Sequence, residues 1–280
     1  MSKQLSERIK YNLDISLKTV GDMALKRRAR KVIEGFELRS RDKILEIGCG
    51  NGYYLSLLNR MGMKLNLIGI DNCQLALDDA KKYIGDDSVK LILCDAAKLP
   101  FKNNSFDKIL MSEVIEHVEN EELVIKEALR VLKKGGIMTL TTCNIEYPFL
   151  WDPVNWVLQR LFNKHIKSGF WAGIWNQHTR LYELSVVERL VQRAGFNIEE
   201  AASLTGWCLP FNHYLVNLVA KLFYAGKLPQ SLSKGMNKFK NSKQSIIIRI
   251  LFYFVNFFDK INDLLPLNIG VSIFIKAKKL

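Results

Sequence analysis

Residues 43–143 alternate between short apolar runs and stretches whose apolar residues recur at helical spacing. Such an alternation predicts a parallel sheet with helices on both faces. We predict five strands here, at Lys43–Ile47, Leu65–Ile70, Val89–Cys94, Lys108–Met111 and Gly136–Thr142. The helices predicted between them are Tyr53–Met61, Leu75–Tyr83 and 121–133. Later in the chain the pattern predicts a helix over Leu184–Ala194 and strands over Phe196–Ala202 and Gly270–Lys276.

Three other parts of the chain differ from this alternating core. Residues 1–40 are predicted to form a basic, helical N-terminal segment with one apolar face. The basic residues of this segment either face solvent or bind phosphate groups or a membrane surface. Residues 41–280 are then the main domain, interrupted by two insertions, 144–180 and 205–268. The first insertion is aromatic and shows little regular pattern.

Charge and cysteine usage narrow the class of protein. The net charge is +13, with most of the excess after residue 143, and favours anionic partners such as nucleic acid, acidic lipid or a charged cofactor. Five scattered cysteines without a paired motif argue against disulfides or a zinc site, so we predict no metal and a reducing cytoplasm. The N-terminus lacks the apolar stretch of a signal peptide, and no apolar run reaches the roughly 18–20 residues of a spanning helix.

A glycine loop carries the first chemical signal. Glu46-x-Gly48-x-Gly50-x-Gly52 follows a predicted strand and precedes a predicted helix. Glycines there let the backbone approach a ligand closely, and the helix N-terminus offers free N–H groups. The nicotinamide fingerprint is G-x-G-x-x-G, whereas here the third glycine comes one residue early.

Acidic residues end the next predicted strands. Asp71 follows the second strand, where a carboxylate can accept both hydroxyls of a ribose. Asp95 and Ala96 follow the third strand, and Ser112–His117 follows the fourth. Because the carboxyl ends of parallel strands share one edge of a sheet, we expect these segments to form one ligand site.

Together these motifs resemble the class I S-adenosylmethionine-dependent methyltransferases, especially the quinone-biosynthesis and methyltransferase type 11 group. The resemblance covers about 40–143, 178–204 and 269–278, and it implies an α/β, Rossmann-like, doubly wound, mostly parallel seven-stranded sheet with a helical lid from the two insertions. It also implies that the following residues bind S-adenosylmethionine: Glu46, Gly48, Cys49, Gly50, Gly52, Asp71, Asn72, Asp95, Ala96, Ser112 and Glu113.

The resemblance further implies a part for each segment. The glycines pack against the methionine moiety, and Glu46 anchors its amino group. Asp71 holds the ribose, with Asn72 beside the adenine. Asp95 bonds the adenine amino group, and Ala96 contributes its backbone.

At the other end of the cofactor, the resemblance implies that Ser112 and Glu113 line the pocket where the methyl group is presented. Methyl transfer from a sulfonium depends mainly on alignment and desolvation, and a base is needed only if the acceptor must lose a proton. We take His117 and His178 as the candidate catalytic residues. The alternatives are that His117 orients a loop and that His178 makes a structural hydrogen bond.

The composition of the two insertions gives information about the methyl acceptor. All five tryptophans lie between residues 151 and 207, which predicts either the core of a lid, an aromatic acceptor pocket or an interfacial belt. From Ala201 to Phe258 there is no acidic residue, and the apolar stretches 211–224 and 246–258 alternate with lysines. They predict either a helix lying at an anionic membrane surface or a buried helix pair.

We therefore predict a cytoplasmic methyltransferase, peripheral at the inner face of the membrane, acting on a small lipophilic or lipid-linked acceptor. Alternatives are a polar metabolite or RNA as acceptor, and a non-catalytic cofactor-binding protein. Nucleic acid is disfavoured, because the cations are mixed with aliphatic runs instead of with stacking aromatics along a polar groove.

Overall fold

The fold is built on one sheet, seen in a computed structural model that describes residues 3–18, 20–176, 178–211, 214, 218, 222, 246–264 and 269–280. Seven strands lie in the order β3-β2-β1-β4-β5-β7-β6. They are β1 Lys43–Ile47, β2 Asn66–Asp71, β3 Lys90–Leu93, β4 Phe106–Ser112, β5 Leu132–Cys143, β6 Asn197–Leu204 and β7 Ser272–Lys278. All pairs among β1–β5 are parallel, while β7 runs antiparallel to β5 and β6. The predicted mostly parallel seven-stranded sheet is confirmed.

The helices follow the predicted alternation. They are α1 Lys3–Leu17, α2 Met23–Gly35, α3 Tyr53–Asn59, α4 Gln74–Ile84, α5 Glu121–Val131, α6 Pro153–Phe162, α7 Leu184–Arg193 and α8 Ile246–Asp259. The apolar faces of α1 to α4 form one hydrophobic cluster with the sheet, and those of α5 and α7 form another with its opposite face. Burial on both faces explains why the central strands are apolar throughout.

The strand order reverses between β1 and β4. The chain moves outward from β1 through β2 to β3, and then returns to the other side of β1 at β4. The loops after β1 and β4 therefore diverge to opposite faces and leave a crevice at the carboxyl ends of these strands. This crevice is where a ligand of a doubly wound sheet is expected.

The N-terminal segment packs as part of the same core. In α2, Ala29, Val32 and Ile33 are buried against the sheet, and Phe36 directly after the helix is also fully buried. Asp22 begins α2 by accepting a hydrogen bond from the backbone N–H of Leu25. Residues 23–36 thus cover one face of the sheet beside α3.

The first insertion is more regular than its sequence pattern suggested. It contains α6 and a 3-10 helix at Phe170–Trp175. The Asp152 carboxylate caps α6 by accepting from the N–H of Asn155 at 3.1 Å, and Pro153 occupies the first turn. Tyr147, Trp151 and Trp175 are buried in a third hydrophobic cluster, which also includes Cys143 at the end of β5.

The second insertion is described only in part. The lysines from 221 to 243 and most of the apolar stretch 211–224 lie outside the described residues. The predicted run 246–258 is helical in α8, where Val255 is buried while Tyr253, Phe254 and Phe257 are exposed. Within the part of the chain that the structure describes, no helix is both long enough and apolar enough to cross a membrane.

Several predicted bounds differ from the observed ones, and the largest difference lies where α5 meets β5, because the strand predicted at Gly136–Thr142 begins at Leu132. The helix expected over 121–133 ends at Val131, because Leu132 has extended backbone angles and pairs with Phe106 of β4. The register between the two strands shifts directly afterwards, between Phe106 and Lys108. A long-range strand pairing therefore ends the helix, and helical spacing cannot show such a pairing.

Candidate active site

The glycine loop connects β1 to α3 at the centre of the crevice. The Cys49 N–H donates to the Ile70 carbonyl at 2.8 Å, and the Gly50 N–H donates to Asp71 Oδ2 at 2.8 Å. Both bonds tie the loop to the end of β2. Gly52 then starts α3 with a φ of +77°, which favours glycine.

The glycines have different surroundings. A Cβ placed on Gly48 would lie 2.6 Å from Cγ2 of Val114, and one on Gly52 would lie 2.8 Å from Cδ1 of Ile84. A Cβ on Gly50 would meet no heavy atom within 4 Å. Gly48 and Gly52 are therefore needed for packing, whereas Gly50 borders open space that a ligand can use.

Glu46 is a buried carboxyl beside this loop. Its side chain is 2% exposed, and its Oε2 atom has no hydrogen-bond partner among the described residues. Burial raises the pKa of Glu46 well above its ordinary value; a hydrogen bond from the Leu55 backbone opposes this shift, and the charge of Asp71 adds to it. An unpaired buried carboxyl is costly unless a ligand satisfies it, and an ammonium group would do so.

The Asp71 carboxylate holds the glycine loop and can still accept further hydrogen bonds. One carboxylate oxygen accepts from Gly50, and the other accepts from the Cys73 N–H at 2.9 Å. A carboxylate has about four lone-pair sites, so hydroxyl groups of a ligand can still bind. Asn72, next in the chain, is exposed at the same strand end.

Asp95 and Ala96 lie one strand further out. The Cys94 N–H donates to the Asp71 carbonyl at 2.9 Å, which places the β3 loop beside the β2 loop. The exposed Asp95 carboxylate accepts from the Ala97 N–H at 2.8 Å, so it stabilises its own turn. An exposed Asp95 carboxylate that accepts this hydrogen bond still has free lone pairs, so the predicted contact with adenine is compatible with its position.

Cys49 differs from its neighbours. Its side chain is buried in the hydrophobic cluster under α3, and burial raises the pKa of its thiol above the ordinary value. Its backbone alone borders the crevice, so any contact of Cys49 with a ligand is a backbone contact.

Ser112 ends β4 on the other side of the crevice, and Glu113 follows it directly. The Ser112 hydroxyl shares a hydrogen bond of 2.8 Å with Thr141. Glu113 has a φ of +56°, unusual for a residue with a side chain, and its carboxylate lies 2.9 Å from the Arg28 guanidinium. Cys143 also donates to this carboxylate, at 3.0 Å.

Arg28 is a site residue that the sequence did not indicate. It comes from α2, and its Nε atom is buried without a hydrogen-bond partner among the described residues. Burial disfavours its charge, but the Glu113 carboxylate, together with Tyr54, Cys143 and Asp22, outweighs this and leaves the pKa of Arg28 above its ordinary value. Its position within a basic stretch gave no sign that this one arginine turns inward.

His117 and His178, the two candidate catalytic residues, lie close together. Their ring centroids are 5.0 Å apart, although they come from separate segments. His178 Nδ1 contacts the Ile174 carbonyl at 2.5 Å, and its Nε2 atom lies 4.0 Å from Oε1 of Glu116. His117 is exposed at the crevice rim.

Glu116 is the second residue that sequence reasoning missed. It is fully buried, Thr142 donates to its Oε2 at 2.9 Å, and its Oε1 has no hydrogen-bond partner among the described residues. Burial, with the negative charge of Glu113 adding to it, raises the pKa of Glu116 to about 8. Its place three residues after Glu113, directly before His117, was the available signal.

Four of these side chains could also hold a metal ion, although the sequence predicted none. Ligand atoms of Glu113, Glu116, Cys143 and His178 lie within 4.8 Å of one another. Carboxylate, thiolate and imidazole donors suit Zn²⁺, whereas the guanidinium of Arg28 beside Glu113 opposes a cation. The same group can act as a proton-accepting cluster without metal.

Comparisons with known proteins agree with this geometry. Residues 45–140 match the family model of a methyltransferase domain. The ubiquinone biosynthesis O-methyltransferase of Pelagibacter ubique is 34% identical over 120 residues, which are 40% of this chain and 49% of that protein. The demethylmenaquinone methyltransferase of Staphylococcus aureus is 28% identical over 188 residues, 63% of this chain and 77% of that protein.

A solved structure shares the fold. Phosphoethanolamine N-methyltransferase 2 of Haemonchus contortus, in complex with S-adenosyl-L-methionine, superposes with a TM-score of 0.56 at 20% identity. The match covers 90% of this chain and 52% of that chain. The chain spans about half the length of several curated relatives that it matches.

The sheet order and the glycine loop at the switch point form a Rossmann-like fold, and residues 45–140 of this fold match a methyltransferase domain, as the resemblance predicted. The chain is similar to a ubiquinone biosynthesis O-methyltransferase and to a demethylmenaquinone methyltransferase, which agrees with the resemblance to the quinone-biosynthesis group.

Proposed function

We propose that this chain binds S-adenosylmethionine and transfers its methyl group to a small lipophilic or lipid-linked acceptor. The observation that carries the proposal is the buried, unpaired Oε2 atom of Glu46 beside a glycine loop tied to Asp71. S-adenosylmethionine has an ammonium group for the first carboxyl and ribose hydroxyls for the second. The residues present therefore fit this cofactor.

The remaining contacts follow the strand ends. Gly48, Gly50, Gly52 and the Cys49 backbone would border the methionine moiety. Asn72, Asp95 and Ala96 would surround the adenine, since their loops lie beside Asp71. Ser112 and Glu113 would line the methyl side, because they face the crevice across from the glycine loop.

When bound, S-adenosylmethionine supplies a methyl group already activated on sulfonium. The chain must then align an acceptor and, for a hydroxyl acceptor, take up its proton. His178 and Glu116 are 4.0 Å apart on the acceptor side, and a pKa near 8 suits Glu116 to proton exchange near neutral pH. His117 is exposed, and in this proposal it would contact the acceptor.

A lipophilic acceptor is favoured by the aromatic insertion and by the relatives. Tyr147, Trp151 and Trp175 border the end of β5 in an apolar cluster. Two relatives are named for ubiquinone biosynthesis and for demethylmenaquinone, which are lipophilic substrates. We place the protein in the cytoplasm, at the inner face of the membrane.

Calorimetry with S-adenosylmethionine tests the central claim. Asp71→Asn removes the charge that holds the loop and meets the ribose, so we expect at least about a tenfold loss of cofactor affinity. Asp79→Asn is the matched control, because Asp79 is exposed on α4 and its ion pair is with Lys82. No binding to the parent chain at millimolar cofactor would overturn the proposal.

A further inference from the structure

The first insertion presents an exposed aromatic surface. We define the α6 hairpin as residues 153–175, which comprise α6, the connection 163–169 and the 3-10 helix. Phe162 is 61% exposed at the end of α6, and Phe170 and Trp171 are 41% and 46% exposed at the start of the 3-10 helix. Burying large apolar side chains is favourable, so their joint exposure points to a partner.

Two of these side chains, Phe170 and Trp171, belong to a ring cluster. The ring centroids of Phe170 and Trp171 are 5.0 Å apart, and each lies 5.5 Å from the ring of the buried Tyr214. Phe211, also exposed, is 6.2 Å from Tyr214. Phe170, Trp171 and Phe211 therefore form one contiguous apolar patch around Tyr214, and Phe162 adds a further exposed ring at the end of α6.

A buried polar network fixes the hairpin. Asn155 is fully buried; its amide donates to the Trp171 carbonyl at 2.9 Å, and its oxygen accepts from the Ile166 N–H at 2.7 Å. The Asp152 carboxylate accepts from the Ile174 N–H at 3.0 Å. The exposed rings are thus held in place before any partner binds, which reduces the entropy lost on binding.

The charge of the hairpin identifies the partner. Residues 153–182 contain no Asp or Glu, whereas Arg160, Lys164 and Lys167 are cationic. Lys164 and Lys167 are exposed and lie in the chain between Phe162 and Phe170. Aromatic residues next to lysines suit the boundary of a bilayer, where rings enter the headgroup layer and ammonium groups meet anionic lipid.

The described end of α8 has no excess of exposed positive charge, because exposed Lys260 is balanced by exposed Asp263. Asp263 is exposed just beyond α8, and Asp259 at its end binds Lys26 and Arg27. An anionic surface would repel these carboxylates and compete for their partners. The part of the second insertion that the structure describes is therefore less suited to anionic lipid than the hairpin.

We infer that the α6 hairpin docks on an anionic membrane surface, with Phe162, Phe170 and Trp171 in the headgroup layer. The hairpin also reaches the acceptor side of the crevice, because the Ile174 carbonyl contacts His178. A lipophilic acceptor can then enter from the bilayer; this route rests on the proposed function, whereas the docking does not.

Flotation with vesicles tests the inference. The parent chain is expected to float with phosphatidylcholine vesicles that contain phosphatidylglycerol, less so at high salt, and not with phosphatidylcholine alone. Lys164→Glu with Lys167→Glu should weaken this partitioning at least about tenfold. Phe162→Ser with Trp171→Ser should weaken it to a similar extent, at about tenfold.

The matched control is Phe254→Ser with Phe257→Ser, which removes two exposed rings from α8 and should float like the parent. Thermal melting and calorimetry with S-adenosylmethionine show whether each variant is folded. Undiminished flotation of folded hairpin variants, or a parent that binds cofactor but ignores anionic vesicles, overturns the docking. A parent that floats without binding cofactor supports the docking and contradicts the proposed function.

Discussion

At the scale of single residues, the site depends on small differences within one loop. Gly48 and Gly50 both have positive φ, +69° and +50°. Gly48 is packed against Val114, whereas Gly50 borders the open crevice. Both glycines are needed in a loop of this shape, but for different reasons.

Alanine substitutions should separate these two reasons. Gly48→Ala should lower the free energy of unfolding by about 2–5 kcal/mol, because its methyl group collides with Val114 and its backbone angles also disfavour alanine. Gly50→Ala should cost only about 1–2 kcal/mol from its backbone angles, but weaken S-adenosylmethionine binding more than Gly48→Ala does. Urea denaturation and calorimetry measure the two effects. Parent-like affinity in Gly50→Ala would show that the cofactor does not approach this loop.

At the scale of elements, α2 lies outside the matched residues 45–140 and still contributes to both core and site. Its buried face packs on the sheet, while Arg28 reaches Glu113. On its outer surface, Lys26 and Arg27 bind Asp259 of α8. This one helix therefore links the N-terminal segment, the crevice and the second insertion.

A core substitution next to α2 tests whether residues 1–40 fold with the sheet. Phe36→Ala should lower the free energy of unfolding by about 3–5 kcal/mol, because Phe36 is fully buried and its removal leaves a cavity. Tyr11→Ala in the exposed part of α1 should stay within about 0.5 kcal/mol of the parent. Urea denaturation compares them. Equal stability of the two variants would mean that the segment folds separately.

At the scale of the whole molecule, the acceptor side is assembled from distant parts of the chain. Glu113 and Glu116 follow β4, Cys143 ends β5, and His178 lies near the end of the first insertion. Arg28 adds a charge from α2. Burying these groups together raises the pKa of Glu116, so this shift exists only in the folded chain.

The raised pKa of Glu116 should make the free energy of unfolding depend on pH. Folded Glu116 keeps its proton up to about pH 8, whereas the unfolded chain releases it near its ordinary value of 4.5. The free energy of unfolding therefore contains a contribution that is fully present below about pH 4.5 and is lost as the pH rises to about 8. Glu116→Gln should remove this contribution and make the decline shallower.

Urea denaturation at several pH values measures the decline, in buffer with EDTA so that no metal ion occupies the cluster. Glu119→Gln is the control, because Glu119 is exposed and close in the chain, and it should follow the parent. An unchanged slope in Glu116→Gln would show that Glu116 is ionised in the folded protein.

The sequence by itself determined the alternating strands and helices, the glycine loop and the acidic strand ends. These features depend on side-chain period and on local backbone chemistry, so a single chain displays them. The tertiary structure alone decided that Leu132 joins β5, that Arg28 meets Glu113, and that Asn155 orders the α6 hairpin. Each of these features depends on contacts between residues that are far apart in the chain. The spacing of hydrophobic residues along the sequence does not show such contacts.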